Sequence, residues 1–302
     1  MPAAVIALSG PTGIGKTAVA LALADRLRER AEDPLAISAD ALQVYHGLET
    51  LTAAATAEER RRLEHRLQSF VPVERTFSVG EYMALAHREI DQALGAGRRP
   101  IVVGGTGLYL RAALSDLELR PPPRPGLRER IERELERGGA PALHARLAAR
   151  APGLAEAVPP TDRSRIVRVL ELVEMGEDPQ PEPEPGRSQL WTAETRHPTL
   201  LVGLVMEREP LYERIDRRTE RIAAEAGAEV RRAVARGASR TAREAIGFEE
   251  LLRGDIEAMK RRTRAYARRQ LTWMRKLAGV RMVDLTGREP SDAAAEIASL
   301  AR

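Results

Sequence analysis

"GPTGIGKT", residues 10–17, fits the spacing G-x-x-x-x-G-K-[ST], in which backbone N–H groups and the start of a helix converge on phosphate oxygens. That reading requires a strand before the loop and a helix after it. The apolar run at 3–10 reads as a buried strand, and "KTAVALALADRLRER" has the apolar spacing of a helix packed on one face. Of 48 basic residues only three are lysines, so a lysine at this position is unlike the arginine-rich background. Lys16 is therefore expected to meet the terminal phosphates as a point charge, and Thr17 to help hold Mg2+.

The same pattern continues outward. "PLAISAD" (34–40), "RPIVVGG" (99–105), "TLLVGLVME" (199–207) and "VRMVDL" (280–285) read as further strands, with helical stretches between them. Strands alternating with helices imply an α/β fold: a P-loop NTPase-like parallel sheet covered by helices on both faces. Between about 115 and 198 the pattern becomes wholly helical. "LRERIERELERG" sets Leu127, Ile131 and Leu135 on one face, and the breaker-rich stretches 120–125 and 179–186 flank the helices. The expected organisation is a catalytic core from 1–114 and 199–302, interrupted by a helical insertion at 115–198.

Composition narrows the class. With 43% hydrophobic and 30% charged residues and no long apolar run, the chain is expected to be soluble rather than membrane-bound. No secretory signal is legible, and zero cysteines exclude a disulfide framework and a Cys-based zinc site, which fits a cytoplasmic location. The net charge of +4 is modest, but "MKRRTRAYARRQLTWMRK" (259–276) holds eight basic residues and no acid. Lys260, Arg264 and Arg268 recur at i, i+4 and i+8, so one side of this helix could follow a phosphate backbone. Tyr266 and Trp273 read as packing residues on the other side.

A phosphate loop alone does not specify a reaction. Open parallel sheets keep their sites at the carboxyl ends of strands, where this sequence places Asp40 and the turn "GGTGLY" (104–109) with Thr106. Asp40 also suits a helix N-cap, and Thr106 a simple turn. The third major strand lacks the terminal acid of P-loop hydrolases, which argues against simple nucleotide hydrolysis. It leaves open a P-loop small-molecule kinase.

"GPTGIGKT", "ISADALQVY", "VVGGTGLYLRA", "TDRSRIVRVLEL", "LYERIDRRTERI", "EAIGFEE" and "TRAYARRQLTWMRK" occur in the order and at about the spacing of the tRNA dimethylallyltransferases, also called tRNA isopentenyltransferases. The chain resembles this family, in its bacterial type, over nearly its whole length. The resemblance implies that the loop formed by Gly10, Pro11, Thr12, Gly13, Ile14, Gly15, Lys16 and Thr17 holds the diphosphate of dimethylallyl diphosphate. The prenyl group would then pass to N6 of the adenosine 3′ of the tRNA anticodon. Asp40 matches the general base, Thr106 a hydroxyl on the bridging oxygen, and Arg218, rather than Arg217, the arginine that neutralises the leaving group. The tRNA anticodon stem-loop would be read by Asp40, Ala41, Leu42, Gln43 and Thr106, with Gln43 offering donor and acceptor to a base edge. Further contacts are expected from Arg128, from Ser164, Arg165, Ile166, Val167 and Arg168, and from Lys260, Arg264 and Arg268. A monomer is expected to act with Mg2+ as its cofactor.

The sequence also departs from the family pattern. Ala41 stands where serine is usual, Ile14 where a small polar residue is usual, and "ETLTAAAT" (49–56) where the family has a G-T-A-K-P run. These positions bear on how the substrates are placed.

Overall fold

A computed structural model describes residues 4–177 and 189–301, which fall into two compact units divided at 117/118 and 189/190. Each unit has its own apolar core. The breaker-rich stretch 179–186 lies outside the described residues.

The larger unit is built on eight strands: β1 (Val5–Ser9), β2 (Pro34–Ser38), β3 (Tyr45–His46), β4 (His65–Arg66), β5 (Val71–Pro72), β6 (Arg99–Gly104), β7 (Thr199–Val205) and β8 (Arg281–Asp284). Six form one sheet in the order β4-β2-β6-β1-β7-β8, and every adjacent pair in it is parallel. β3 and β5 make a separate parallel pair. The continuous apolar sequences of β1 and β2 follow from this position, because helices cover both faces and every residue in them is buried.

The helix Lys16–Arg28 buries Val19, Ala20, Leu23, Ala24 and Leu27, an i, i+4, i+8 stripe with its neighbours, against the sheet and the helix Pro290–Leu300. The helix Val79–Gly95 starts at a capping box, in which Ser78 accepts from the Glu81 N–H and Glu81 accepts from the Ser78 N–H. Register then fixes the site. Ser9 lies opposite Gly104, and Ala39 N–H donates to the Val103 carbonyl at 2.8 Å, so the chain ends leaving β1, β2 and β6 emerge side by side.

The smaller unit, 118–189, has helices over its described residues, and its bounds lie three and nine residues inside 115–198. Residues 190–198 belong to the larger unit because Ser115 and Arg111 both donate to the Glu194 carbonyl, at 2.7 and 3.1 Å. The helix Leu127–Arg150 bends at Gly139, where φ is 74°, shortly before Pro141. Together with the helix Arg163–Met175 it buries Leu127, Ile131, Leu135, Leu143, Leu147, Ile166, Val167 and Leu170.

Candidate active site

The loop after β1 wraps the head of the helix Lys16–Arg28. Gly13 and Gly15 take φ of 82° and 101°, and a Cβ on Gly13 would also lie 2.7 Å from the Ile215 side chain. Glycine is required there by both backbone and contact. Ile14 is fully buried, so this unusual loop residue anchors the turn in the core and offers ligands only its backbone. The Lys16 ammonium donates to the carbonyls of Gly10 and Pro11 at 2.9 and 3.0 Å. Burial, reinforced by the like charge of Arg218 and opposed by Asp40, lowers its pKa to about 8. Arg218 is lowered too, chiefly by burial, while Asp40 acts in the opposite sense. The two cations and the carboxylate thus share one electrostatic environment. Exposed Arg217, by contrast, exerts no resolved influence on Lys16.

These groups line a cleft of about 1620 Å³ within the larger unit, together with Thr17, Arg214 and Tyr266. Asp40 closes a tight turn, with one carboxylate oxygen accepting from the N–H groups of Leu42 and Gln43 at 2.9 and 3.2 Å. This is the short-range bonding for which aspartate is favoured in turns. After β6, glycine is demanded by crowding. A Cβ on Gly104 would lie 2.1 Å from the Ala39 carbonyl oxygen, and one on Gly105 would lie 2.3 Å from the Gln270 amide nitrogen. Thr106 caps the helix Gly107–Leu114 without a side-chain capping bond; its hydroxyl instead meets the Tyr266 hydroxyl at 3.3 Å.

Several expectations are corrected. The Gln43 amide is already engaged: its oxygen accepts from Ser38 and Gln68, and its nitrogen donates to the carbonyls of Thr52 and Ala53. It fixes the turn to the 49–56 segment rather than presenting a free edge. Ile166 and Val167 point into the core of the helical unit and offer a ligand no side-chain surface. Arg128 and Arg168 both grip the buried carboxylate of Glu171, while Ser164 and Arg165 stay exposed on the first turn of their helix. The basic helix Ile256–Met274 does have acidic partners, supplied by its own first turn and by another helix. Lys260 pairs with Glu220 and Glu257, Arg264 pairs with Asp216, and Arg268 donates to the Tyr212 hydroxyl. Sequence distance hid these pairs, since Asp216 and Glu220 lie on the helix Arg208–Glu225. Tyr266 combines packing with a polar contact to Thr106, which apolar patterning could not reveal.

Other contributors carry no local sequence signal. Gln270 accepts from the Thr12 N–H at 2.8 Å, 258 residues away in sequence. Arg214 donates to the Ile14 carbonyl at 3.3 Å. Glu229 caps the short helix Glu49–Thr52 by accepting from Thr50 and Leu51, so the altered 49–56 segment is held without the usual lysine.

For Mg2+, the described residues contain no cluster of three or more His, Cys, Asp or Glu side chains suited to a metal. Thr17, which lines the cleft, is the residue that would hold a Mg2+, an ion that needs only one or two protein oxygens where phosphate oxygens and water complete its shell.

A parallel sheet whose first strand runs through a glycine loop into a helix, with a lysine, an arginine and a carboxylate in one cleft, defines a P-loop protein. The family model described as IPP transferase matches residues 43–277, and the chain belongs to that family. It is 39% identical to the tRNA dimethylallyltransferase of Thermobifida fusca over 90% of this chain and 87% of that one. With the tRNA dimethylallyltransferase of Anaeromyxobacter dehalogenans it shares 41% identity over 91% and 93%. The crystal structure of the full-length tRNA isopentenylpyrophosphate transferase of Bacillus halodurans is similar at a TM-score of 0.69 and 31% identity, covering 98% of this chain and 94% of that one. A eukaryotic dimethylallyltransferase, described as acting on tRNA, superimposes at a TM-score of 0.71 and 25% identity over 93% and 74%.

Proposed function

We propose that this chain transfers the dimethylallyl group of dimethylallyl diphosphate to N6 of the adenosine 3′ of the anticodon, position 37 of tRNA, and releases diphosphate. The observation that carries the reading is the shared environment of Lys16, Arg218 and Asp40 in one cleft with the phosphate loop. Phosphate-neutralising groups stand beside the Asp40 carboxylate, an arrangement suited to anion departure coupled to proton removal. The family membership favours this transfer over the small-molecule kinase.

In the proposed step the N6 lone pair forms a bond to the first carbon of the dimethylallyl group. The carbon–oxygen bond breaks, its electron pair passes to the bridging oxygen, and the proton on N6 goes to Asp40. Charge accumulates on the departing diphosphate, so its stabilisation is the largest task. Lys16, Arg218 and the loop N–H groups carry it, and Thr106 donates to the bridging oxygen. Thr17 would hold Mg2+, which adds positive charge against the diphosphate when bound. The adenosine must leave its stack to enter the cleft. Ser164 and Arg165 of the helical unit and Arg268 of the basic helix are proposed for the RNA backbone, with Lys260, whose charge Glu220 and Glu257 offset, contributing less. The enzyme is proposed to act as a monomer in the cytoplasm. Among the described residues no helix is long and apolar enough to cross a membrane.

A tRNA carrying inosine at position 37 tests the reading, because inosine lacks the exocyclic amine. Transfer to the adenosine form alone is expected; equal labelling of both forms would place the acceptor elsewhere.

A further inference from the structure

The helix Arg208–Glu225 interleaves two patterns of polar residues. Arg214, Arg217, Arg218 and Arg221 line the cleft, whereas Tyr212, Asp216 and Glu220, four residues apart, turn toward the helix Ile256–Met274. There Lys260, Arg264 and Arg268 repeat at the same spacing, and the two series meet in reverse order. Glu220 accepts from Lys260 at 2.7 Å, Asp216 accepts from the Arg264 Nε at 2.8 Å, and Arg268 donates to the Tyr212 hydroxyl at 3.1 Å. Lys260 also donates to Glu257 on its own helix, and the Arg264 guanidinium lies over the Tyr212 ring, 5.6 Å from its centroid, joining two neighbouring rungs. Successive turns of two antiparallel helices are thus bonded rung by rung.

Arg218 is two residues from both Asp216 and Glu220, about 200° around the helix from each. Between the rungs and Arg218 runs the buried stripe of Leu211, Ile215, Thr219 and Ile222. A mainly apolar stripe tolerates a small roll or slide, because the area in contact changes little. A carboxylate bonded to a planar guanidinium does not, because its N–H groups point in fixed directions. The central pair, Asp216 and Arg264, is half-buried, and Glu220 is exposed. Ion pairs of this exposure add little to stability, so what the ladder contributes is orientation.

The partner helix is itself tied to the site. Its Met259, Thr263, Tyr266 and Gln270 line the cleft, and the Gln270 oxygen accepts from the Thr12 N–H of the phosphate loop at 2.8 Å. A roll of the helix Arg208–Glu225 against this fixed neighbour would carry Arg218 away from the place where the loop holds phosphate. We infer that Asp216 and Arg264, flanked by the Glu220–Lys260 and Tyr212–Arg268 rungs, are positioning residues that set the roll and register of the helix and so aim Arg218 at the leaving diphosphate. The inference rests on the prenyl-transfer reading. It assigns Arg264, whose spacing suits a phosphate backbone, to the protein's own register instead.

The test is a double-mutant cycle on prenyl transfer with Asp216→Ala and Arg218→Ala, reading kcat and the KM for tRNA separately. Asp216→Ala is expected to lower kcat about tenfold, with the KM for tRNA nearly unchanged, since a small misplacement of a charge-stabilising group is costly. In the Arg218→Ala background the same change is expected to cost less than about twofold, because its route of action is gone. Reversing the pair in one chain, Asp216→Arg with Arg264→Asp, is expected to restore kcat to within about threefold of wild type, where each reversal alone does not. Losses that multiply, an Asp216→Ala enzyme as fast as wild type, or a reversed pair no better than its single reversals would overturn the ladder. Wild-type turnover in the same assay keeps those outcomes distinct from failure of the prenyl-transfer reading itself.

Binding of inorganic diphosphate, measured by isothermal titration calorimetry, supplies a readout that needs no turnover. Asp216→Ala is expected to weaken it about fivefold in the presence of Arg218 and less than about twofold in the Arg218→Ala chain. Unchanged affinity in Asp216→Ala, or an equal loss in both backgrounds, would contradict the aiming of Arg218 by the ladder.

Discussion

Raising the pH from 7 to 9 is expected to weaken binding of dimethylallyl diphosphate, measured without tRNA, about tenfold. The perturbation acts on Lys16, whose pKa falls from 10.5 to about 8 through burial and the neighbouring Arg218. An anionic ligand favours the ammonium form, so the bound lysine has the higher pKa and affinity is complete below about 8. With a free value of about 8, roughly nine-tenths of the chains carry the charge at pH 7 and about one-tenth at pH 9. Binding at pH 9 must therefore take up a proton, and the apparent affinity falls by the ratio of the two fractions. Isothermal titration calorimetry in buffers of different ionisation enthalpy reads both the affinity and the proton. The same shift has a stability counterpart with a defined sign. Between about 8 and 10.5 the unfolded chain binds a proton that the native chain does not, so stability rises with pH across that window. Below it the buried ammonium costs at most about 3 kcal/mol. Lys16→Met is expected to abolish the slope of affinity and to raise thermal stability at pH 7. Equal affinities at pH 7 and 9, or a slope that survives in Lys16→Met, would refute this account of the loop.

Asp40→Ala is expected to abolish prenyl transfer while leaving tRNA affinity nearly unchanged; a large loss in a filter-binding assay would make Asp40 a binding residue. Gly104→Ala sets a methyl group 2.1 Å from the Ala39 carbonyl oxygen, and thermal unfolding should reveal a loss above about 3 kcal/mol, whereas Gly95→Ala, with nothing within 4 Å, should be neutral or mildly stabilising. Glu171→Ala leaves Arg128 and Arg168 without their shared buried carboxylate and should destabilise the chain by about 3–5 kcal/mol in urea unfolding, an outcome that unchanged stability would contradict. Arg268→Ala should reduce the salt dependence of tRNA binding by close to one counterion, and Lys260→Ala by less, since Glu220 and Glu257 already neutralise Lys260; equal slopes would oppose that ranking.

Much of the fold was legible because strands buried on both faces are apolar throughout, as in β1 and β2, whereas β8 at the sheet edge exposes three of its four residues. β3, β4 and β5 were not legible, since a two-residue strand carries no period. Lys16, Thr17, Asp40 and Arg218 were singled out by motif, and all four line one cleft in the larger unit. What stayed hidden depends on contacts between distant segments. Glu220 and Asp216, which pair with Lys260 and Arg264, lie 40 and 48 residues away on another helix, and the saturation of Gln43 depends on the 49–56 segment folding back. Ile166 and Val167 show the opposite limit. A motif names a stretch, and helical geometry then turns half of it inward. The contacts of Gln270 with Thr12 and of Tyr266 with Thr106 span 258 and 160 residues, which no local pattern encodes.

The most direct measurement of the central claim is incubation of the purified protein with dimethylallyl diphosphate labelled in the prenyl group, Mg2+ and unmodified tRNA, without ATP, followed by nucleoside analysis. Labelled N6-prenyladenosine with one diphosphate released for each group transferred is the predicted result, and makes the phosphate held by the loop a leaving group. No label in the RNA, with ATP consumed on a small acceptor when it is supplied, would contradict the account and assign the loop to a nucleotide.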